Sequence, residues 1–167
     1  MITEYFCLQL RQALQVAVPV SSTLEVLTLM PNQICAIPGV DPVLQGVVNW
    51  RGKLLWSLDL SDFLGLRIES ADAKQAIAST LTAIVIAQDN PTRQLACIVS
   101  SLRGVQEILD SQVQPIATHL PSVVHQYSNG IVSLDSPLLL LNPSAILNSP
   151  RWQYSVTNSL YSFRQIH

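Results

Sequence analysis

The side chain best suited to chemistry is Arg51, which lies in residues 43–66, VLQGVVNWRGKLLWSLDLSDFLGL, an otherwise strongly apolar stretch. Its guanidinium is always charged and holds five donors in a rigid plane, a geometry that grips a carboxylate or a backbone carbonyl. That is recognition chemistry, not bond-breaking chemistry. Gly52 beside it suits a tight turn with positive φ, which predicts a hairpin carrying Arg51 at its tip. On the second arm, a period of two predicts Leu54, Trp56, Leu58 and Leu60 on one face and Ser57 and Asp59 on the other. Two readings of Arg51 stay open at this point: a solvated turn residue, or an anchor for a partner.

Groups that would support catalysis do not converge. The histidines are His119, His125 and His167, with no HxxxH or HExxH spacing, and the cysteines never approach zinc-ligand spacing with them. GxGxxG, GxSxG and phosphate-loop motifs are absent. No catalytic residue, metal or cofactor is therefore expected. Cys7, Cys35 and Cys97, far apart and without a CxxC, read as reduced, buried thiols serving as small apolar residues.

Strands must position Arg51, and strand signals dominate the chain. Short apolar or alternating runs at 5–10, 15–20, 47–50, 53–58, 80–87, 94–99, 130–134 and 137–141 predict about eight to ten strands, the pattern of barrels or a sandwich. Helical signals are brief: Ser61 as a cap for a turn stopped by Gly65, and Asn142 as a cap before Pro143. The segment Gly46 to Asp59 is echoed by Gly130 to Asn142, and Val18 to Ser22 by Ile98 to Ser101, in the same order. Two similar β units, each too small to bury its own apolar face, are expected to pack over a shared core. Residues 69–79 separate the halves as a surface loop or marginal helix. Outside the repeat, 150–167 carries Trp152, Tyr154, Tyr161 and Phe163, too many aromatics for a free tail, and partial docking on the body is expected.

Composition narrows the partners. Of the 167 residues 49% are hydrophobic and only 12% charged, against about 25% in an average globular protein. Intrinsic disorder is excluded, since it needs the opposite balance. The longest apolar runs, 81–87 and 138–141, fall far short of the roughly 18 to 20 residues of a spanning helix, so no direct membrane insertion is expected. Met1 to Leu10 lacks the basic cluster of a secretory signal, which points to a cytoplasmic protein. A net charge of −2 without a basic patch argues against nucleic acid. Low surface charge also predicts a tendency to self-associate.

With Gly46-Val47-Val48-Asn49-Trp50-Arg51-Gly52 in view, the sequence resembles the CheW-like coupling domains of bacterial chemosensory systems. Glu25-Val26, the proline-flanked loop Pro38 to Pro42 and the exit Leu58-Asp59-Leu60 match the flanks of that family's GVxNxRG hairpin, and 127–147 matches its ending more weakly. The resemblance implies an all-β fold: two small SH3-like five-stranded barrels packed around a shared hydrophobic core, with one or two short helices. It would occupy residues 1–149, leaving 150–167 as a C-terminal extension. It implies a non-catalytic adaptor coupling the cytoplasmic tip of a methyl-accepting chemoreceptor to the regulatory domain of a CheA-type histidine kinase, recruited to membrane receptor arrays. Chemotaxis, phototaxis and type IV pilus motility are all compatible pathways. Arg51, Glu25 and Asn49 fall on positions linked to partner binding, and Gly46 and Gly52 on conformational ones. Trp50 departs from the family's Leu or Ile, and Trp56-Ser57 from its Pro-Val. The alternative is an SH3-like structural subunit of an unrelated assembly, which has no reason to carry the GVxNxRG segment.

Overall fold

A computed structural model describes residues 1–66, 79–88 and 93–153. Ten strands are present among them: β1 (Ile2–Gln9), β2 (Gln15–Pro19), β3 (Thr23–Leu29), β4 (Leu44–Trp50), β5 (Lys53–Asp59), β6 (Leu81–Ala87), β7 (Gln94–Val99), β8 (Ser101–Leu109), β9 (Ser128–Ser133) and β10 (Pro137–Leu141). Short helices accompany them, α1 (Leu60–Phe63), α2 (Ser122–Tyr127) and α3 (Pro143–Leu147), and residues 150–153 are helical as well. The strands form two five-stranded sheets, ordered β8-β1-β2-β10-β9 and β3-β6-β7-β5-β4. This is the expected all-β fold of two SH3-like units.

The sheets repeat one design. In each, one parallel pair, β2 with β10 or β5 with β7, sits among antiparallel neighbours. Each carries an isolated bridge at the same place, Cys35 to Val47 and Gln114 to Ile131. Matching the two orders position by position aligns β4-β5 with β9-β10 and the β2–β3 step with β7–β8, the two echoes read in the sequence. The division between units differs from the expected one. Residues 69–79 do not part them, because β6 and β7 return to the sheet of β3 to β5, while β1 and β2 join the late strands. The repeat is thus circular, with the second unit borrowing its central strands from the N-terminus. As for the loop or helix expected over 69–79, residues 69–78 lie outside the described residues.

Alternation along the strands feeds three cores. Val16, Val18, Leu58, Ile84, Ile86, Leu95, Cys97, Leu139 and Leu141 turn to the shared interior between the sheets. Their neighbours turn the other way, Val48, Trp50, Leu55, Val85 and Ile98 into the hollow of one sheet. Ala17, Ile108, Val132, Leu138 and Leu140 fill the other. Central strands buried on both faces must be apolar at every position, which produces continuous runs such as LTAIVIA and LLLL. The low charge has this internal cause. It also corrects the expected polar face of β5: Ser57 is fully buried, its hydroxyl donating to the Gly46 carbonyl at 3.0 Å, and Leu55 lies opposite the Leu58 face. Leu54, expected on one face with Trp56, Leu58 and Leu60, is 77% exposed at the hairpin end.

Helix α1 starts two residues earlier than expected. Asp59 is its cap, accepting the Asp62 N–H at 2.9 Å, while Ser61 instead accepts the Arg11 N–H at 3.1 Å. Asn142 caps α3 as its sequence predicts, accepting the Ala145 N–H at 3.1 Å. Of the cysteines, Cys97 is buried, and burial pushes its thiol up to about 12. Cys7 is half-buried, and Cys35 is exposed, because only its backbone joins the fold, through the bridge to Val47.

Candidate functional site

The β4–β5 hairpin pairs Trp50 with Lys53, so its loop is the two residues Arg51 and Gly52. Both have positive φ, 51° and 77°, the signature of a type I′ turn whose twist suits the flanking strands. Glycine reaches that conformation freely; Arg51 does so under strain, typically about 1 kcal/mol or more for a non-glycine residue. Asn49 offsets it from within, its side-chain oxygen accepting the Gly52 N–H at 3.1 Å. Asn49 is therefore a residue of the turn, and Arg51 is carried outward with its side chain 68% exposed.

Glu25 arrives from β3, at the opposite edge of the same sheet from β4. One of its oxygens, Oε2, accepts the Trp50 indole N–H at 2.6 Å and lies 3.1 Å from Nη2 of Arg51. The Arg51 guanidinium also lies over the Trp50 ring, 4.9 Å from the centroid. Contact between residues of the two edge strands shows that the sheet has curled toward closure, with Trp50 plugging the open end of its hollow. Arg51, Glu25 and Trp50 thus form one cluster, while Gly46 lies at the far end of β4.

Gly46 is conformational in the strict sense. Its φ is +138°, at the register shift where β4 bulges, and a Cβ there would stand 2.1 Å from the Cys35 carbonyl oxygen. The close approach lets Val47 exchange both bridge bonds with Cys35, at 2.8 and 2.9 Å. Gly52 has open space around it, so only its backbone angle demands glycine.

A second polar cluster had no signal in the sequence. Arg11, in the β1–β2 turn, pairs with Asp59 at 3.0 Å and with Asp62, tying one unit to the helix of the other. The turn uses positive φ at Gln12 and Ala13, neither a typical turn residue, so nothing marked Arg11. Burial drives the Asp59 carboxyl above the usual carboxylate range, against the lowering effects of the Asp62 N–H and Arg11 and with the help of the Asp62 charge. The folded state then binds a proton where the unfolded chain, near about 3.9, does not. Stability contributed at Asp59 therefore rises as pH falls through its native pKa toward about 4. Oδ1 alone takes both the Arg11 and the Asp62 bonds, so an amide can replace the carboxylate, as Asn142 does at α3. Asp59→Asn is expected to raise urea stability at pH 7, and the gain should shrink as pH falls through the raised native pKa toward about 4. A constant difference across that range, or a loss at pH 7, would count against this account.

Among the described residues no cluster of His, Cys, Asp and Glu could hold a metal ion, and no helix is long and apolar enough to cross a membrane. What the site can do is bind: an exposed guanidinium on a rigid hairpin, with an aromatic ring and a carboxylate behind it.

Two curled β units around a common core, with an arginine presented on a glycine-turned hairpin, define a small protein-contact scaffold. The CheW-like domain family matches residues 4–151, and the chain belongs to that family. Its fold is similar to the crystal structure of the scaffolding protein TtCheW from Thermoanaerobacter tengcongensis, with a TM-score of 0.69 at 17% identity over 85% of this chain and 90% of that one. No curated protein matches the sequence.

Proposed function

We propose that the chain is a non-catalytic adaptor of a bacterial chemosensory system, with residues 1–149 as the coupling domain and 150–167 as its extension. It joins the cytoplasmic tip of a chemoreceptor to the regulatory domain of a CheA-type histidine kinase, in the cytoplasm at a receptor array. The observation that carries this reading is Arg51: a single exposed guanidinium on a strained two-residue turn, inside the GVVNWRG segment, in a chain of this family. The positive φ of that turn closes the hairpin and carries the guanidinium to its exposed tip, where a partner can reach it. Glu25 supports Arg51 from behind, and Asn49, Gly46 and Gly52 shape the hairpin that presents it. Signal passes by differential binding: a receptor state that favours one geometry of the ternary complex biases the kinase by that difference in binding energy.

Arg51→Ala tests it. Affinity for the kinase regulatory domain or the receptor tip is expected to fall at least about tenfold, as at a hot-spot residue. Folding stability should stay within about 1 kcal/mol, because an exposed ion pair contributes about that much or less. Titration calorimetry and denaturant melts measure the two. Unaltered binding to both partners sinks the assignment of the site.

A further inference from the structure

We propose that Trp50 is the positioning residue of the Arg51 site, an inference that rests on the adaptor reading: its indole N–H pins Glu25 and its ring seats the guanidinium. A long, exposed arginine ordinarily samples many rotamers, and fixing it on binding lowers affinity. A surface Arg–Glu pair by itself does little to hold it, because such pairs are worth about 0 to 1 kcal/mol and are screened by salt. Trp50 adds what that pair lacks. Its ring is buried, 8% exposed, among the residues that fill the hollow of this sheet, so it is as rigid as the core. From that fixed base the indole N–H reaches Glu25 Oε2, the same oxygen that Arg51 approaches, and the π face lies 4.9 Å below the guanidinium. The core is thereby linked to the hairpin tip through two contacts on Arg51, one through the carboxylate and one through the ring.

The arrangement also answers a need of the tryptophan. A buried indole N–H requires an acceptor, and in this hollow of apolar side chains Glu25 provides it. Glu25 is consequently directed inward on one oxygen, and the charge facing outward at the tip is cationic, Arg51 with the exposed Lys53 beside it. A Leu or Ile at position 50, as the resemblance leads one to expect, has neither donor nor π face and would leave Glu25 and Arg51 joined only to each other. Trp50 is on this argument a determinant of how this chain presents its cation, and so of which partner surface it fits.

Three full-chain variants separate the roles: Trp50→Phe keeps a ring and removes the donor, Trp50→Leu removes both, and Glu25→Ala removes the acceptor. Binding to a CheA-type regulatory domain and to a receptor-tip peptide is measured beside Arg51→Ala, with nuclear magnetic resonance of the Trp50 indole N–H and the Arg51 side-chain N–H. Trp50→Leu is expected to weaken binding about tenfold, close to Arg51→Ala, and Trp50→Phe by a smaller factor, about threefold. The Trp50 indole resonance should move in Glu25→Ala, and the Arg51 side-chain resonance should change in Trp50→Leu. Wild-type binding by folded Trp50→Leu, where Arg51→Ala has lost affinity, overturns the positioning role. If Arg51→Ala itself binds normally, the adaptor assignment of the site fails, and the resonances then decide on Trp50: unmoved signals overturn it and moved signals sustain it. Should Trp50→Leu not fold, Trp50→Phe and the Glu25→Ala resonance shift make the same decision.

Discussion

Gly46→Ala is expected to abolish stable folding, or at the least to lower stability by about 3 kcal/mol or more, a large part of the roughly 5 to 15 kcal/mol that holds a domain together. The added carbon would lie 2.1 Å from the Cys35 oxygen, 2.7 Å from its carbonyl carbon and 2.9 Å from the Ala36 Cα, all backbone atoms that cannot rotate away. Relief requires the 35–36 segment to leave β4, breaking both Cys35–Val47 bonds. Backbone angle alone does not account for the effect, and the chain carries its own control. Gly104 has the same φ of +138° at a bulge of β8, on a different strand of the repeat, yet a Cβ added there would meet nothing within 4 Å. Gly104→Ala should therefore cost only the strain of the angle, about 1 to 2 kcal/mol. Denaturant melts of the two variants measure the difference; equal losses would show that φ, and not the approach of Cys35, dictates glycine at position 46.

Much of this fold could be read from the chain, for a physical reason: strands buried on both faces advertise themselves as unbroken apolar runs. β2, β6, β7 and β10 carried such a signal, while β1, β4, β5 and β9 were marked by shorter or alternating runs. The two strands left unmarked, β3 and β8, are edge strands, as β4 and β9 are, but without the alternation that marked those two. Seven of the nine residues of β8 are exposed, including Arg103 and Glu107, and such a strand has no reason to be apolar. The circular arrangement was equally hidden, since pairing of β1 with β8 and of β2 with β10 joins residues about a hundred positions apart or more, and no local pattern encodes it. At the site, the turn chemistry of Arg51-Gly52 follows from local residue types, so the hairpin was legible, whereas the clash at Gly46 is with the Cys35 backbone across an isolated bridge that no local pattern encodes. Trp50 was legible only as a departure from a pattern. Its bond to Glu25 depends on the curl of the sheet that brings two edges together, which alternation alone does not specify.

The extension supplies the second large effect. Trp152 is 7% exposed and belongs to the shared core, and its indole N–H donates to the Ile146 carbonyl at 2.8 Å. Its neighbours act in the same way: Gln153 donates to the Leu147 carbonyl at 2.7 Å, on the same helix end, and Arg151 donates to the Phe63 carbonyl of α1 at 2.9 Å with its guanidinium 5.5 Å from the Phe63 ring centroid. Helix C-termini leave carbonyls open to further donors, and three consecutive side chains here bond one at α1 and two at α3, of which the Ile146 carbonyl also accepts the Ser149 N–H. Because α1 follows a strand of one sheet and α3 a strand of the other, the same short segment seals both units over their common core. Tyr154, Tyr161 and Phe163 fall outside the described residues; Trp152, among the described ones, is docked on the body. Trp152→Ala is expected to cost about 3 to 5 kcal/mol, the usual range for emptying a buried aromatic site, and Arg151→Ala, on a more exposed perimeter, about 1 kcal/mol. Ending the chain after Ser149 should cost at least as much as Trp152→Ala, since it removes all three donors with the ring. If the chain ended at Ser149 melts within about 1 kcal/mol of the full protein, the seal is not a structural member and Trp152 only rests on a core that closes without it.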